Sequence, residues 1–263
     1  MRVHASVLLF LVGVAQTPAP LPIAVEGEAG TWSRPDGTGF ANDVVRAAFR
    51  AAGVDVRFEV VPYARCKDMV VQGQVAACFS MSHAPELDGV VRFPSRPLFV
   101  CHADLVQRAA AMVSVRRLRD LPQGTLIGTV LGYEYPDELR AASAAGIVRI
   151  EESPSEAILL RKLAAGRVQA AIINVNDTKP LAYVAARAGL TGDIGTSSRI
   201  GDLSSNIGFS VRHPRGAWAL ARFEAGMRII SSNGAIAAIT RRWSDSARVA
   251  INADTAPPGR RVP

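Results

Sequence analysis

Lysine is nearly missing from this chain: Lys67, Lys162 and Lys179 are the only three, so arginine carries almost all of a net charge of +7. Cysteine is equally sparse, at Cys66, Cys78 and Cys101, and no CxxC or HxxxH spacing joins those residues or the histidines. That removes the common tetrahedral zinc patterns. No Ser–His–Asp set and no glycine-rich phosphate loop is present, so neither an acyl-transfer triad nor a nucleotide cradle is expected. A basic balance can mean an anionic partner. Here the arginines are scattered, with only short pairs such as Arg116-Arg117, Arg241-Arg242 and Arg260-Arg261. Without a recognition helix, finger spacing or aromatic–basic strand motif, they read as solvated surface, and nucleic acid is not expected as a partner. Past the N-terminus no apolar run approaches the roughly 20 residues that cross a bilayer.

What is present is an ordinary globular balance, with 49% hydrophobic and 20% charged residues over 263 positions. That length can bury one large core or two modest ones. Arg2 and His4 followed by the apolar Ala5–Val14 read as an export signal, with Gly13 and Ala15 placed for cleavage after Ala15. A buried first strand is the weaker alternative, because three prolines follow in Gln16–Pro22. No cysteine lies near the cleavage point, so the expectation is a periplasmic protein without a lipid anchor. In an oxidising compartment three cysteines allow one disulfide and leave one thiol, and the sequence does not choose the pair.

Two stretches echo one another. Gly73-Gln74-Val75-Ala76-Ala77 and Gly166-Arg167-Val168-Gln169-Ala170-Ala171 each follow a helical pattern and feed a short apolar strand. Those strands end in small polar residues near Ser80 and Asn174. Open α/β sheets bind ligands at the carboxyl ends of their strands, so two such units predict two lobes with these polar ends on a shared crevice. Around the echo, Leu21–Val25 and the alternating Val54–Val60 predict strands, and Phe40, Val44, Val45, Ala48, Phe49 and Ala52 predict a helix. Further strands are expected at Val75–Phe79, Leu98–Leu105, Thr125–Val130, Ile147–Glu151, Val168–Ile173 and Ile207–Val211, with a turn over Leu118–Pro122. Further helices are expected from Pro62 to Gly73, after Pro136, over Glu156–Ala165 behind a Ser155 cap, and over Lys179–Ala188, Ala217–Ile230 and Ile236–Trp243. No low-complexity linker separates the units, which favours a chain that crosses between lobes.

These residues resemble the extracellular solute-binding proteins of the amino-acid type (family 3), the two-lobed partners of ABC importers. The resemblance is carried by Trp32–Phe40, Pro62–Cys66, Gly73–Ala77, Arg92–Leu98, Ile127–Tyr133, Gly166–Asn174 and Asn206–Trp243, in that order. It implies an α/β, type II periplasmic-binding fold in which each lobe is a mixed open sheet flanked by helices. On that reading residues 1–15 are the signal, 16–105 and 201–251 a discontinuous first lobe, 106–200 the second lobe, and 252–263 a loose tail.

The departures from the family pattern bear on the ligand. Where family members that bind α-amino acids carry an arginine in a Thr-Pro-Glu-Arg-like turn, this chain has Ala84-Pro85-Glu86-Leu87. A guanidinium fork matches a carboxylate; leucine does not. Where the family places an aspartate for the ligand amino group, this chain has Asn174. The expectation is therefore a small polar solute other than a standard α-amino acid.

The candidate contacts in the first lobe are Glu28, Trp32, Tyr63, Ser80, Ser82, His83 and Leu87. In the second they are Gly132, Tyr133, Glu134, Asn174 and Asn176. Arg65 is expected to bind Asp68, and Arg92 to sit at the surface or between strands. The expected partners are a small-molecule solute and a membrane ABC permease or a sensor protein, with the chain a monomer that carries no cofactor, metal or catalytic residue. The alternatives are a ligand-sensing module without transport and a lyase resembling the periplasmic cyclohexadienyl dehydratases. The lyase would draw its acid or base from Glu28, His83 or Glu134.

Overall fold

The alternating Val54–Val60 run folds into a strand beside the first apolar one, in a computed structural model that describes residues 19–190 and 192–255. The expected export segment and cleavage point lie outside those residues, as does the end of the expected tail from 256 onward. β1 (Leu21–Glu26) pairs in parallel with β2 (Val56–Val61) and with β3 (Ala77–Met81). Helices α1 (Phe40–Ala51) and α2 (Tyr63–Val71) connect them. A two-residue strand, β4 (Val91–Arg92), lies at the edge and keeps Arg92 exposed. In the second unit β6 (Thr125–Val130) pairs in parallel with β7 (Val148–Ser153) and β8 (Ala170–Val175), with α3 (Asp137–Ala144) and α4 (Glu156–Ala164) between them. Ser155 caps α4 by accepting from the Ile158 amide, and α5 (Leu181–Arg187) follows β8.

Two long strands join the units. β5 (Phe99–Arg108) and β9 (Ile194–Ser210) run antiparallel to each other from one unit into the other. β5 pairs with β8 on its second-lobe side, and β9 pairs with β3 on its first-lobe side. Their register shifts at Ala103/Asp104 and Leu105/Val106, and such irregularities bend a ribbon. The chain thus forms two lobes around separate cores. The first is built on Phe40, Phe49, Phe79, Phe209 and Phe223, and the second on Leu159, Leu160, Leu163, Ile173 and Val184.

Two expectations are corrected here. The expected strand Ile207–Val211 is the end of a 17-residue strand. Its longer first part, Ile194–Ser205, is rich in serine and glycine and lacks apolar alternation, because long β5 pairing rather than core burial holds it in place. The last helix does not stop at Trp243 and give way to a loose tail at Asn252. After α6 (Gly216–Ser232), α7 runs from Ala235 to Thr255. Ile239 and Trp243 sit in the first core, and Ala247, one turn on, sits in the second. The apolar stripe simply continues at helical spacing onto a different lobe. Trp243 Nε1 also donates to Asp43 Oδ2 at 2.7 Å, which ties α7 to α1.

Cys66 in α2 is bonded to Cys78 in β3, and Cys101 is a buried free thiol whose ionisation burial pushes up to about 12. The bridge closes a short loop under the first-lobe sheet, worth roughly 2–4 kcal/mol by the usual chain-entropy argument. Arg65 donates to Gln74 Oε1 at 2.9 Å, not to the expected Asp68, since its helix ends over the turn carrying Gln74.

The α1–α6 contact is close enough to test. A Cβ at Gly226 would land inside van der Waals contact with the Ala48 carbonyl oxygen, which is helix backbone and has little room to yield. Gly226→Ala is expected to cost about 3 kcal/mol in urea unfolding, the upper range for overpacking. A loss below about 1 kcal/mol would show that the helices slide apart freely.

Candidate functional site

The carboxyl ends of β1, β3, β6 and β8 point into the space between the lobes, and the side chains just beyond them meet there. Three clusters span the gap.

The first is centred on Trp32, in the loop after β1. Its indole packs at a 48° tilt against Phe99, with ring centroids 4.7 Å apart, and its Nε1 donates to Asn176 Oδ1 at 2.9 Å and Thr178 Oγ1 at 3.1 Å across the gap. Thr31 Oγ1 donates to the Thr178 carbonyl beside it. Asn176 Oδ1 also accepts from the Thr178 and Lys179 amides, so one side chain shapes its own turn and holds the tryptophan of the opposite lobe. Lys179 is wholly buried, with Nζ 3.7 Å from the Trp32 ring centroid and hydrogen-bonded to Glu156 at 2.8 and 3.0 Å.

The second cluster is centred on Glu134. β6 ends in a turn through Gly132, at φ +81°, and this left-handed step aims the following residues at the first lobe. The Glu134 carboxylate accepts from Tyr63 Oη at 2.6 Å, the Ser82 amide at 3.0 Å and Lys67 Nζ at 3.1 Å. Lys67 also donates to the Gly132 carbonyl at 2.7 Å. Burial, and then the Glu134 charge, push the Tyr63 phenol well above its ordinary value, so it stays a donor.

The third cluster is Tyr133 with Glu26. Tyr133 Oη donates to Glu26 Oε1 at 2.7 Å, and its ring meets Tyr63 edge-on at 5.1 Å between centroids. Glu26 is only 4% exposed. Burial raises its carboxyl from 4.5 to about 8, against the opposing effect of the Tyr133 hydrogen bond, so it holds its proton at neutral pH. Lys67 and Lys179 are bonded to Glu134 and Glu156, which leaves Glu26 without a cation of its own among the described residues.

Between the clusters lies a cavity of about 20 Å³ whose walls include Glu26, Trp32, Ser80, Ser82, Tyr133, Glu134, Asn174 and Ser205. That is room for about one water-sized group. Three buried oxygens lining it, Ser80 Oγ, Asn174 Oδ1 and Ser205 Oγ, have no hydrogen-bond partner among the described residues. Ser80 is the one described non-glycine residue at positive φ, +70°, where the β3–β9 register slips between Phe79 and Met81. Among the described residues no three His, Cys, Asp or Glu side chains are grouped to hold a metal.

The structure brings Trp32, Tyr63, Ser82, Tyr133, Glu134 and Asn176 into the cross-lobe contacts, and Ser80 and Asn174 onto the cavity wall. It sets other candidates apart. Leu87 is buried against Cys66, Val70 and Cys78 in the first-lobe core and does not reach the cavity; the turn that carries it packs inward. His83 is exposed, bonded to Asp88 at 3.0 Å and tilted over Phe93. Glu28 is exposed on the outer rim. Gly132 contributes its turn and its carbonyl rather than an amide.

Sequence reasoning missed Glu26, Lys67, Glu156, Lys179 and Ser205. The signal for the lysines was their scarcity, since two of only three are drawn into this gap. Glu26 announced itself as a carboxylate at the carboxyl end of a buried strand.

No protein-family model matches this chain, and no curated protein does. Solved structures do. A histidine kinase sensor domain with similarity to periplasmic binding proteins superposes with a TM-score of 0.73 at 18% identity, over 86% of this chain and 96% of that one. An amino acid ABC transporter substrate-binding protein from Streptococcus pneumoniae, bound to L-arginine, gives 0.70 at 14% identity, over 87% and 95%. An ancestral amino acid-binding protein described as a precursor of cyclohexadienyl dehydratase gives 0.65 at 16% identity, over 84% and 94%. The chain has the two-lobed, type II periplasmic-binding-protein fold.

Proposed function

We propose that this chain is an extracytoplasmic binding protein that closes its lobes on a small solute bearing an ammonium group and presents the closed form to a membrane importer or a sensor. The observation that carries the reading is Glu26, a buried carboxyl that has no cation among the described residues and lines one cavity with three unpartnered oxygens. An isolated buried carboxylate is costly, and a paired one is not. A carboxylate is an acceptor, the asparagine Oδ1 is an acceptor, and a serine hydroxyl can be one. The complement is a compact group of hydrogen-bond donors with a positive charge. An ammonium, about the size of one water, fits the cavity where a guanidinium does not.

A standard α-amino acid suits the site poorly. Its carboxylate would need the Ser82 amide, Tyr63 hydroxyl and Lys67, which Glu134 already occupies, and the family's gripping arginine is Leu87 here. Binding that bridges both lobes only when they are shut shifts the population toward closure, so no covalent step is needed. Among the described residues no helix is long and apolar enough to cross a membrane. Together with the N-terminal export pattern, this supports a protein that meets its membrane partner from outside. A lyase on the same scaffold is the second reading, because a carboxyl protonated at neutral pH is what general acid catalysis uses. Size weighs against it: beside Glu26 and Glu134 the cavity has room for about one water-sized group and not for a cyclohexadienyl ring.

Ethylammonium is expected to raise the melting temperature more than L-alanine, L-glutamate or L-arginine do. The gain should grow between pH 6 and 9, because Glu26 ionises near 8 while an alkylammonium stays charged up to about 10. Without ligand the sign reverses. A carboxyl raised in the folded state holds its proton there while the unfolded chain has lost it, so stability falls as pH rises from 4.5 to about 8. Glu26→Gln should flatten both slopes in a thermal-shift titration. Equal stabilisation by several L-amino acids would overturn the proposal.

A further inference from the structure

We infer that the guest is an amphiphilic primary amine, with its ammonium at Glu26 and its apolar body in the groove at the mouth of the cleft. This rests on the ammonium reading above and adds the chemistry of the rest of the molecule. A cavity of about 20 Å³ takes a head group and nothing more, so the body of any ligand lies outside it. Two larger interlobe spaces are available, and Glu26 lines only one of them.

That one is a groove of about 340 Å³ where the carboxyl ends of β1, β2 and β6 converge. The first lobe gives it Val60, Pro62 and Ala64, and the second gives Val130, Leu131 and Pro154. Its volume is within the range of small-molecule sites. Glu26 and the exposed Glu28 both line it, and both favour a cation once Glu26 gives up its proton. Tyr63 lines it too, with its hydroxyl committed to Glu134. Leu131 stays 49% exposed and Val60 37% exposed, and they line the groove from opposite jaws. Both side chains would lose water to an apolar guest, and both lobes supply apolar contact, the larger share from the first.

The other space, of about 520 Å³, does not suit the same body. Arg34, Asp36, Glu156 and Arg187 line it, and Glu156 is already paired with Lys179. An apolar chain there would strip water from charges without return.

The test is calorimetric titration of the whole protein at pH 8.5 with n-alkylammonium chlorides from methyl to octyl. Affinity should rise by about two- to fourfold per methylene until the groove is filled, full burial of one methylene being worth about fourfold. Leu131→Ser, at an exposed position, should remove most of this chain-length dependence while leaving methylammonium affinity within about twofold; Val60→Ser should act alike from the other jaw. Hexanoate should not bind, and equal binding of hexanoate would expose mere partitioning and overturn the inference. Ammonium binding that needs Glu26 but is flat in chain length would overturn the apolar body and leave the ammonium reading standing. No binding by any member, with Glu26→Gln indistinguishable from wild type, would overturn both.

Discussion

Glu134→Ala is expected to open the cleft, seen as a larger radius of gyration in solution scattering and faster hydrogen exchange at the Ser82 amide. A carboxylate from the second lobe gathers three donors from the first, namely the Tyr63 hydroxyl, the Lys67 ammonium and the Ser82 amide. Hydrogen bonds to a charged group contribute roughly 1.5–3 kcal/mol each. Removing one side of a buried ion pair costs about 3–5 kcal/mol, because the abandoned charge stays desolvated. Lys67 keeps the Gly132 carbonyl, which places the expected shift near about 3 kcal/mol, a hundredfold or more in the open-to-closed ratio. All three donors reach water once the lobes part, so the loss should appear as opening and not as unfolding of either lobe. Glu134→Gln keeps an acceptor and should fall between the two states. Unchanged scattering and unchanged protection at Ser82 would mean that other contacts hold the lobes together.

The elements that built the lobes were legible because each buries one face. The α1 stripe and the β2 alternation state their burial in the order of their residues, and the glycines after helices state where each stops. β9 was half hidden, since a strand held by its neighbour's backbone needs no apolar code. The far end of α7 is harder to read, because its stripe passes from one core to another: Trp243 belongs to the first and Ala247 to the second.

The site divided in the same way. Ser80, Asn174 and Trp32 could be placed from strand ends and from the family pattern. Glu134 was found, but as a ligand contact rather than as a clasp on Tyr63 and Lys67. The partners that give the gap its charge, Lys67 with Glu134 and Lys179 with Glu156, lie 67 and 23 positions apart in sequence. Charge pairing over such distances has no period. It follows from the fold, and only the scarcity of lysine hinted at it beforehand.

Lys179→Met should be the most damaging single change in the second lobe, lowering stability in urea by about 3–5 kcal/mol and the melting temperature by on the order of 10 °C. Lys179 is wholly buried, and its ammonium satisfies both oxygens of Glu156. Methionine keeps the volume and a sulfur that packs well on the Trp32 ring, so the loss isolates the charge from the packing. Glu156 sits in the first turn of α4, where the helix dipole favours an anion by about 0.3–1 kcal/mol. That tempers the cost but does not replace a partner. The decisive comparison is Lys179→Met with Glu156→Gln. If the charge left behind is what hurts, removing it as well should restore most of the stability, since buried ion pairs often tolerate exchange for neutral groups. A double variant as unstable as the two single changes added together would instead assign the loss to the fit of the lysine chain under Trp32. The lobes would then be joined there by packing, leaving Glu134 and its three donors as the charged contact that closes them.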